Sequence, residues 1–152
     1  MIAVAEANIP ATEPVITLEL TGQAPRAYPL RYMTWHEIVN DYVDDIPFTV
    51  TFCPLCNSAI VFDRRVHGQV LDFGVMGQLR NSDMVKYDRQ TFTWWQQAVG
   101  QGIVGELTGV ELTVFPSWME SFADFQARNP KGFVMDEPKI FPPLWQQPLS
   151  RL

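Results

Sequence analysis

Cys53-Pro54-Leu55-Cys56 sets two thiols two residues apart, near enough to close a small disulfide or to offer two sulfurs to one metal ion. Pro54 fixes φ and has no N–H to donate, so it stiffens the segment between them. These are the only two cysteines in the chain, which points to local thiol or metal chemistry rather than a disulfide scaffold. A structural zinc site takes four ligands, and the sequence has no second C-x-x-C. The only imidazoles are His36 and His67, with Met76, Met84 and Asp63 as further donors. Cys53 and Cys56 with His36 as third ligand suit a copper or zinc ion that keeps one position open for water or substrate. Without a metal, the same pair is a redox dithiol in which one thiolate attacks a partner disulfide and His36 moves the proton. The catalytic and metal-ligating candidates are therefore Cys53, Cys56 and His36.

A second cluster follows in Gly77-Gln78-Leu79-Arg80-Asn81-Ser82-Asp83. A turn carrying Arg80, Asn81, Ser82 and Asp83 can hold a carboxylate or another anion, with Arg80 as bidentate donor. Trp95, beside Trp94, offers an aromatic wall to the same substrate pocket. The plainer readings are an ordinary polar turn, with Asn81 and Ser82 bonding their own backbone, and core packing for the tryptophans. If the plainer reading of the cysteines also holds, the C-x-x-C only braces the fold. The chain is then a non-catalytic module that binds a small molecule or a partner through the Arg80 turn and Trp94-Trp95. Asp63-Arg64-Arg65 and Tyr87-Asp88-Arg89 read as exposed charges closing strands.

The elements that must position these residues are mostly strands. Val15-Ile16-Thr17-Leu18-Glu19-Leu20 alternates with the period of a half-buried strand, and Thr21-Gly22-Gln23 turns the chain into a second strand over 26–31. Pro29 assigns that second strand to an edge. Thr34-Trp35-His36-Glu37 matches a capping box, which predicts a helix whose stripe is Trp35, Ile38, Val39 and Tyr42. Phe48-Thr49-Val50-Thr51-Phe52 alternates as a strand running straight into Cys53. Val66-His67-Gly68 marks a hairpin between strands over 58–65 and 69–75. Further strands are predicted over 84–88 and 109–115, and Thr91 to Gln97 carries no clear signal. A second helix is predicted after Pro116, with N-cap signals at Ser117 and Ser121, ending at Asn129-Pro130. The expectation is a single compact α+β domain, predominantly antiparallel sheet with two short helices. It spans 15–137, between an irregular lead-in at 1–14 and a Pro-rich arm at 138–152.

Composition narrows the function classes. The 152 residues are 47% apolar, with ten Phe, five Trp and four Tyr, enough for a sizeable core and unlike a disordered chain. Net charge is −6 with eleven Lys and Arg, so a basic stripe for a phosphate backbone is missing and nucleic acid is a poor partner. No apolar run reaches bilayer-spanning length, and Met1 to Glu6 does not read as a secretory signal. The chain reads as soluble, with a metal ion or small molecule as partner.

Several of these segments together resemble a known family. Arg26-Ala27-Tyr28-Pro29-Leu30, Trp35 to Asp41, Thr51 to Ala59 around Cys53-Pro54-Leu55-Cys56, Phe62-Asp63-Arg64 and Leu79-Arg80-Asn81-Ser82-Asp83 look like the signature blocks of the bacterial and archaeal domain of unknown function 3179. Tyr87-Asp88-Arg89, Trp94-Trp95-Gln96-Gln97 and Gly105-Glu106-Leu107-Thr108-Gly109 fit the same pattern, in order, over roughly Val15 to Val134. The resemblance brings no established activity, cofactor or catalytic residue. It implies that His36, Cys53, Cys56, Arg80, Asn81 and Asp83 occupy motif positions, and it suggests an extracytoplasmic setting.

Overall fold

The structure is a computed structural model and describes residues 1–138; the Pro-rich arm expected over 138–152 lies, from residue 139 onward, outside the described residues. Its strands are β1 (Ile2–Ala3), β2 (Pro14–Leu18), β3 (Arg26–Pro29), β4 (Ile38–Val43), β5 (Ile46–Cys53), β6 (Ser58–Asp63), β7 (Arg65–Val66), β8 (Gln69–Val70), β9 (Phe73–Arg80), β10 (Asp83–Asp88), β11 (Trp94–Gln96), β12 (Gln101–Val104), β13 (Val114–Phe115), β14 (Ser117–Ser121) and β15 (Phe133–Val134). Two helices interrupt them, α1 (Leu30–His36) and α2 (Phe122–Arg128). The strands form a first sheet ordered β1-β15-β3-β2-β14, a middle sheet β13-β6-β5-β4, a third sheet β12-β11-β10-β9, and the small hairpin β7-β8. Pairing is antiparallel throughout except for β15 against β3. The fold is nearly all β, with the two short helices as additions.

Burial explains the layering. Ile16, Leu18 and Tyr28 of the first sheet meet Val43, Phe48, Val50, Phe52 and Val61 of the middle sheet in one apolar cluster, with Tyr28 edge-on to Phe48 at 6.2 Å. On the far side of the first sheet, Val15, Ala27 and Val134 pack against Phe122 and Phe125 of α2. Between the middle and third sheets lie Phe62, Leu71, Phe73, Trp95 and Leu107. β5 thus lies inside the stack. Its Phe48, Val50 and Phe52 face the first sheet, so Thr49, Thr51 and Cys53, at alternate positions, face the third.

Several expectations are corrected. The helix predicted from Thr34 onward lies earlier, over Leu30–His36, and 38–43 is a strand. Thr34 Oγ1 donates back to the Leu30 carbonyl at 2.8 Å, so it is an interior helix residue and not a cap. Glu37 breaks the helix at φ 58°, and Ile38-Val39-Asn40-Asp41-Tyr42-Val43 then alternates along β4. β3 is an interior strand, since β15 flanks it. Pro29 is tolerated as its last residue, beyond the Arg26–Ala27 stretch that β15 pairs. The segment after Pro116 is strand β14 first, and the helix starts only at Phe122, where Ser121 Oγ accepts from the Asp124 amide at 3.1 Å. Part of the lead-in is ordered against the core: β1 pairs with β15 and Val4 is buried.

Arg64 is also corrected, from surface charge to core residue. It is 1% exposed and donates to the carbonyls of Phe48, Leu71 and Asp41 and to Asp72 Oδ1, at 2.7 to 3.1 Å. The fork geometry of guanidinium ties three chain segments together at once.

Candidate functional site

β5 ends on Cys53, and the Pro54–Asn57 turn returns the chain into β6, with Cys53 opposite Ser58. Asn57, at φ 48°, supplies the left-handed residue this reversal needs. Cys53 and Cys56 form a disulfide across the turn, with Cα atoms 5.5 Å apart. The two sulfurs differ in setting. Cys53 is 1% exposed at the end of the buried strand, whereas Cys56 is exposed on the turn.

The third sheet brings a carboxylate to this pair. β9 and β10 are joined by the two-residue turn Asn81-Ser82, both at positive φ (52° and 64°), the backbone that a tight hairpin requires. That turn seats Asp83 opposite Arg80. Asp83 is 6% exposed, accepts from the Ala98 amide through Oδ2 at 2.8 Å, and holds Oδ1 3.7 Å from Cys56 Sγ. The Ser82 carbonyl lies 3.8 Å from the same sulfur. A disulfide sulfur has no proton, so in this state these are contacts; a Cys56 thiol in the same place would donate to either oxygen. Cys53, Cys56 and Asp83 also place one ligand atom each within 4.8 Å of one another, the one group of this kind among the described residues. His36 is not in it.

The other expected site residues take the following places. His36 closes α1, half-buried, with its Nε2 buried and without a partner among the described residues; the break at Glu37 turns the chain away into β4. The third donor beside the sulfurs is Asp83, which the sequence had assigned to an anion pocket. Trp95 is 0% exposed, stacks edge-on to Phe73 at 5.9 Å, and donates Nε1 to Asp88 Oδ2 at 2.9 Å. Arg80 instead meets Trp94 at a shallow depression of about 290 Å³ that also includes Gln78 and Val104. Asn81 and Ser82 form the exposed hairpin tip.

A cleft of about 370 Å³ opens beside the disulfide, its walls including Glu37, Cys53, Leu55, Val75, Leu79 and Met84. Leu55, Val75 and Leu79 are exposed there. β9, which supplies one wall, is the outermost strand of its sheet.

Lys86, which carries no signal in the sequence, lies in the seam between the middle and third sheets. It is 0% exposed, with Nζ 4.0 Å from the Phe62 ring centre and 4.8 Å from that of Phe73. Burial pulls its pKa from 10.5 down to about 7, with the Asp83 charge acting in the opposite direction. Its Nζ, the Thr49 hydroxyl and Gln97 Oε1 are all buried without a hydrogen-bond partner among the described residues. Gln97 Nε2 meanwhile donates to Thr51 Oγ1 and the Ser58 carbonyl, both at 3.2 Å, stitching the seam to the strands that flank the disulfide.

No helix among the described residues is long and apolar enough to cross a membrane. No curated protein and no solved structure matches the chain. One family model does, over residues 1–147, and by that match the chain belongs to the family described as "Protein of unknown function (DUF3179)".

Proposed function

We propose that the Cys53–Cys56 disulfide is a redox centre that exchanges with thiols or disulfides of a partner. The observation that carries this reading is the position of Asp83, a buried carboxylate 3.7 Å from the sulfur of an exposed cysteine in a C-x-x-C disulfide. The oxidised pair fits the turn as it stands. The reduced pair would find an acceptor for the Cys56 thiol already in place, so neither state leaves a polar group stranded. The apolar walls beside the sulfurs suit a partner that buries surface while it exchanges. Equilibration of the folded protein with glutathione buffers of graded ratio tests the reading. A reversible two-electron transition with the fold retained supports it; a disulfide that glutathione never opens in the folded protein overturns it.

A second reading is supported by the ligand group itself. In the reduced protein, two thiolates and the Asp83 carboxylate would form a three-donor set for zinc or copper with a position left open. Equilibrium dialysis of reduced protein against zinc, repeated on Asp83→Asn, separates the readings. Stoichiometric zinc lost in the variant favours the metal centre, and no uptake leaves exchange alone. The third reading, a binding module, draws on Arg80 and Trp94 at the depression between β9 and β12; ligand-induced thermal stabilisation that persists in Cys53→Ser/Cys56→Ser would favour it.

A further inference from the structure

We infer that Cys56 is the sulfur through which the disulfide exchanges with partners, and that Cys53 is the internal sulfur that leaves and returns. The inference rests on the exchange reading above and adds its direction. Thiol–disulfide exchange proceeds by attack along the line of the S–S bond, so the attacked sulfur must be open on the side away from its mate. Cys53 is the last residue of a buried strand, registered against Ser58 of β6, and is 1% exposed. Cys56 is exposed in the turn. Cys53 forms part of the cleft wall, but at 1% exposed it offers an attacking thiolate far less surface than Cys56 does.

The step balances as follows. A partner thiolate attacks Cys56 Sγ, a partner–Cys56 disulfide forms, the Cys53–Cys56 bond breaks, and its electron pair leaves on Cys53 Sγ, which takes a proton from solvent through the cleft. A second partner thiolate then attacks the partner sulfur of the mixed disulfide and releases Cys56. The protein gains two electrons and the partner becomes a disulfide. In the opposite direction Cys56 attacks a partner disulfide, and Cys53 resolves the mixed species by attacking Cys56 Sγ.

The test treats the wild-type protein with glutathione, caps free thiols with N-ethylmaleimide, and locates the glutathione by fragmentation mass spectrometry. The expected result is glutathione on Cys56 and maleimide on Cys53. Glutathione found mainly on Cys53 overturns the inference alone; a disulfide that never opens overturns the exchange function and the inference with it. A second measurement compares Cys53→Ser and Cys56→Ser in their reaction with Ellman's reagent. Folded Cys53→Ser, which keeps Cys56, should react at least about tenfold faster, with the difference vanishing in urea. Equal or reversed rates in the folded proteins overturn the inference.

Discussion

Lys86→Met removes one charge from the seam between the middle and third sheets while keeping a chain of similar length. The lysine pKa falls from 10.5 to about 7 because burial disfavours the ammonium. At about 1.4 kcal/mol per pH unit, that drop corresponds to about 5 kcal/mol of penalty on the charged form. The faces of Phe62 and Phe73, 4.0 and 4.8 Å away, favour the ammonium as cation–π contacts do, but desolvation wins. About 5 kcal/mol therefore stands against folding with the charge present.

The pH window follows from the direction of the shift. Below pH 7 both the folded and the unfolded chain carry the ammonium, so folding bears the full penalty. Between pH 7 and pH 10.5 the unfolded chain holds a proton that the folded chain has released, so stability rises with pH. Above that range both states are neutral and the penalty is gone. Urea unfolding of both proteins from pH 6 to pH 9.5 should find Lys86→Met more stable by about 5 kcal/mol at pH 6, with the advantage falling to about a third by pH 9.5. Taking the difference between the proteins removes every other titrating group they share. An advantage that does not change with pH, or a variant less stable at pH 6, refutes the reasoning; the ammonium would then have a partner, and Thr49 Oγ1 and Gln97 Oε1 are the acceptors to examine first.

Two further predictions concern stability. Arg64→Lys should cost about 2–4 kcal/mol by urea unfolding, because an ammonium cannot reach the Phe48, Leu71 and Asp41 carbonyls together and leaves buried acceptors unpaired. Reduction of the Cys53–Cys56 disulfide should cost only about 2 kcal/mol, since the loop it closes is so short that chain-entropy restriction is small; unfolding with and without dithiothreitol measures this, and a reduced protein that unfolds outright would contradict it.

The sequence carried the strand into the site and misplaced what surrounds it. Alternation over Phe48 to Phe52 placed β5 correctly and delivered Cys53 to its end, because one face of that strand is strictly apolar. Thr49 and Thr51, the polar positions of that alternation, are both 0% exposed, since a third sheet covers the polar face. Period-two patterns report that two faces differ, not that one is wet. The Thr34–Glu37 pair imitated a helix start for a related reason. The hydroxyl that would cap a helix also bonds backward within one, and only tertiary context selects between the two. His36 was chosen for being an imidazole near an expected helix face; with the helix displaced by several residues, that face no longer exists. Asp83 was singled out within its turn as part of an anion pocket, with no signal that it neighbours Cys56. The contact that matters joins residues 27 apart in sequence through a hairpin whose register no local pattern specifies.

That hairpin explains why the buried charges and the disulfide lie together. β9 and β10 fold over the polar face of β5, with Met76 and Gly77 (φ 75°) left out of their pairing, and β10 carries both Asp83 and Lys86. Asp83 then contacts Cys56, and its charge also acts on Lys86. An apolar β10 would satisfy the stack more cheaply, because burying unpaired polar atoms works against folding. Lys86, Thr49 and Gln97 nevertheless sit in this one seam with polar atoms that find no partner among the described residues. Retained polar groups of this kind are commonest where a site needs them. A carboxylate that reaches a disulfide sulfur on one side and biases a buried amine on the other joins the redox state of Cys56 to the charge in the seam. The mixed-disulfide mapping of Cys56 and the pH dependence of Lys86→Met therefore examine the two ends of one arrangement, and Asp83→Asn should alter both readouts together if it links them.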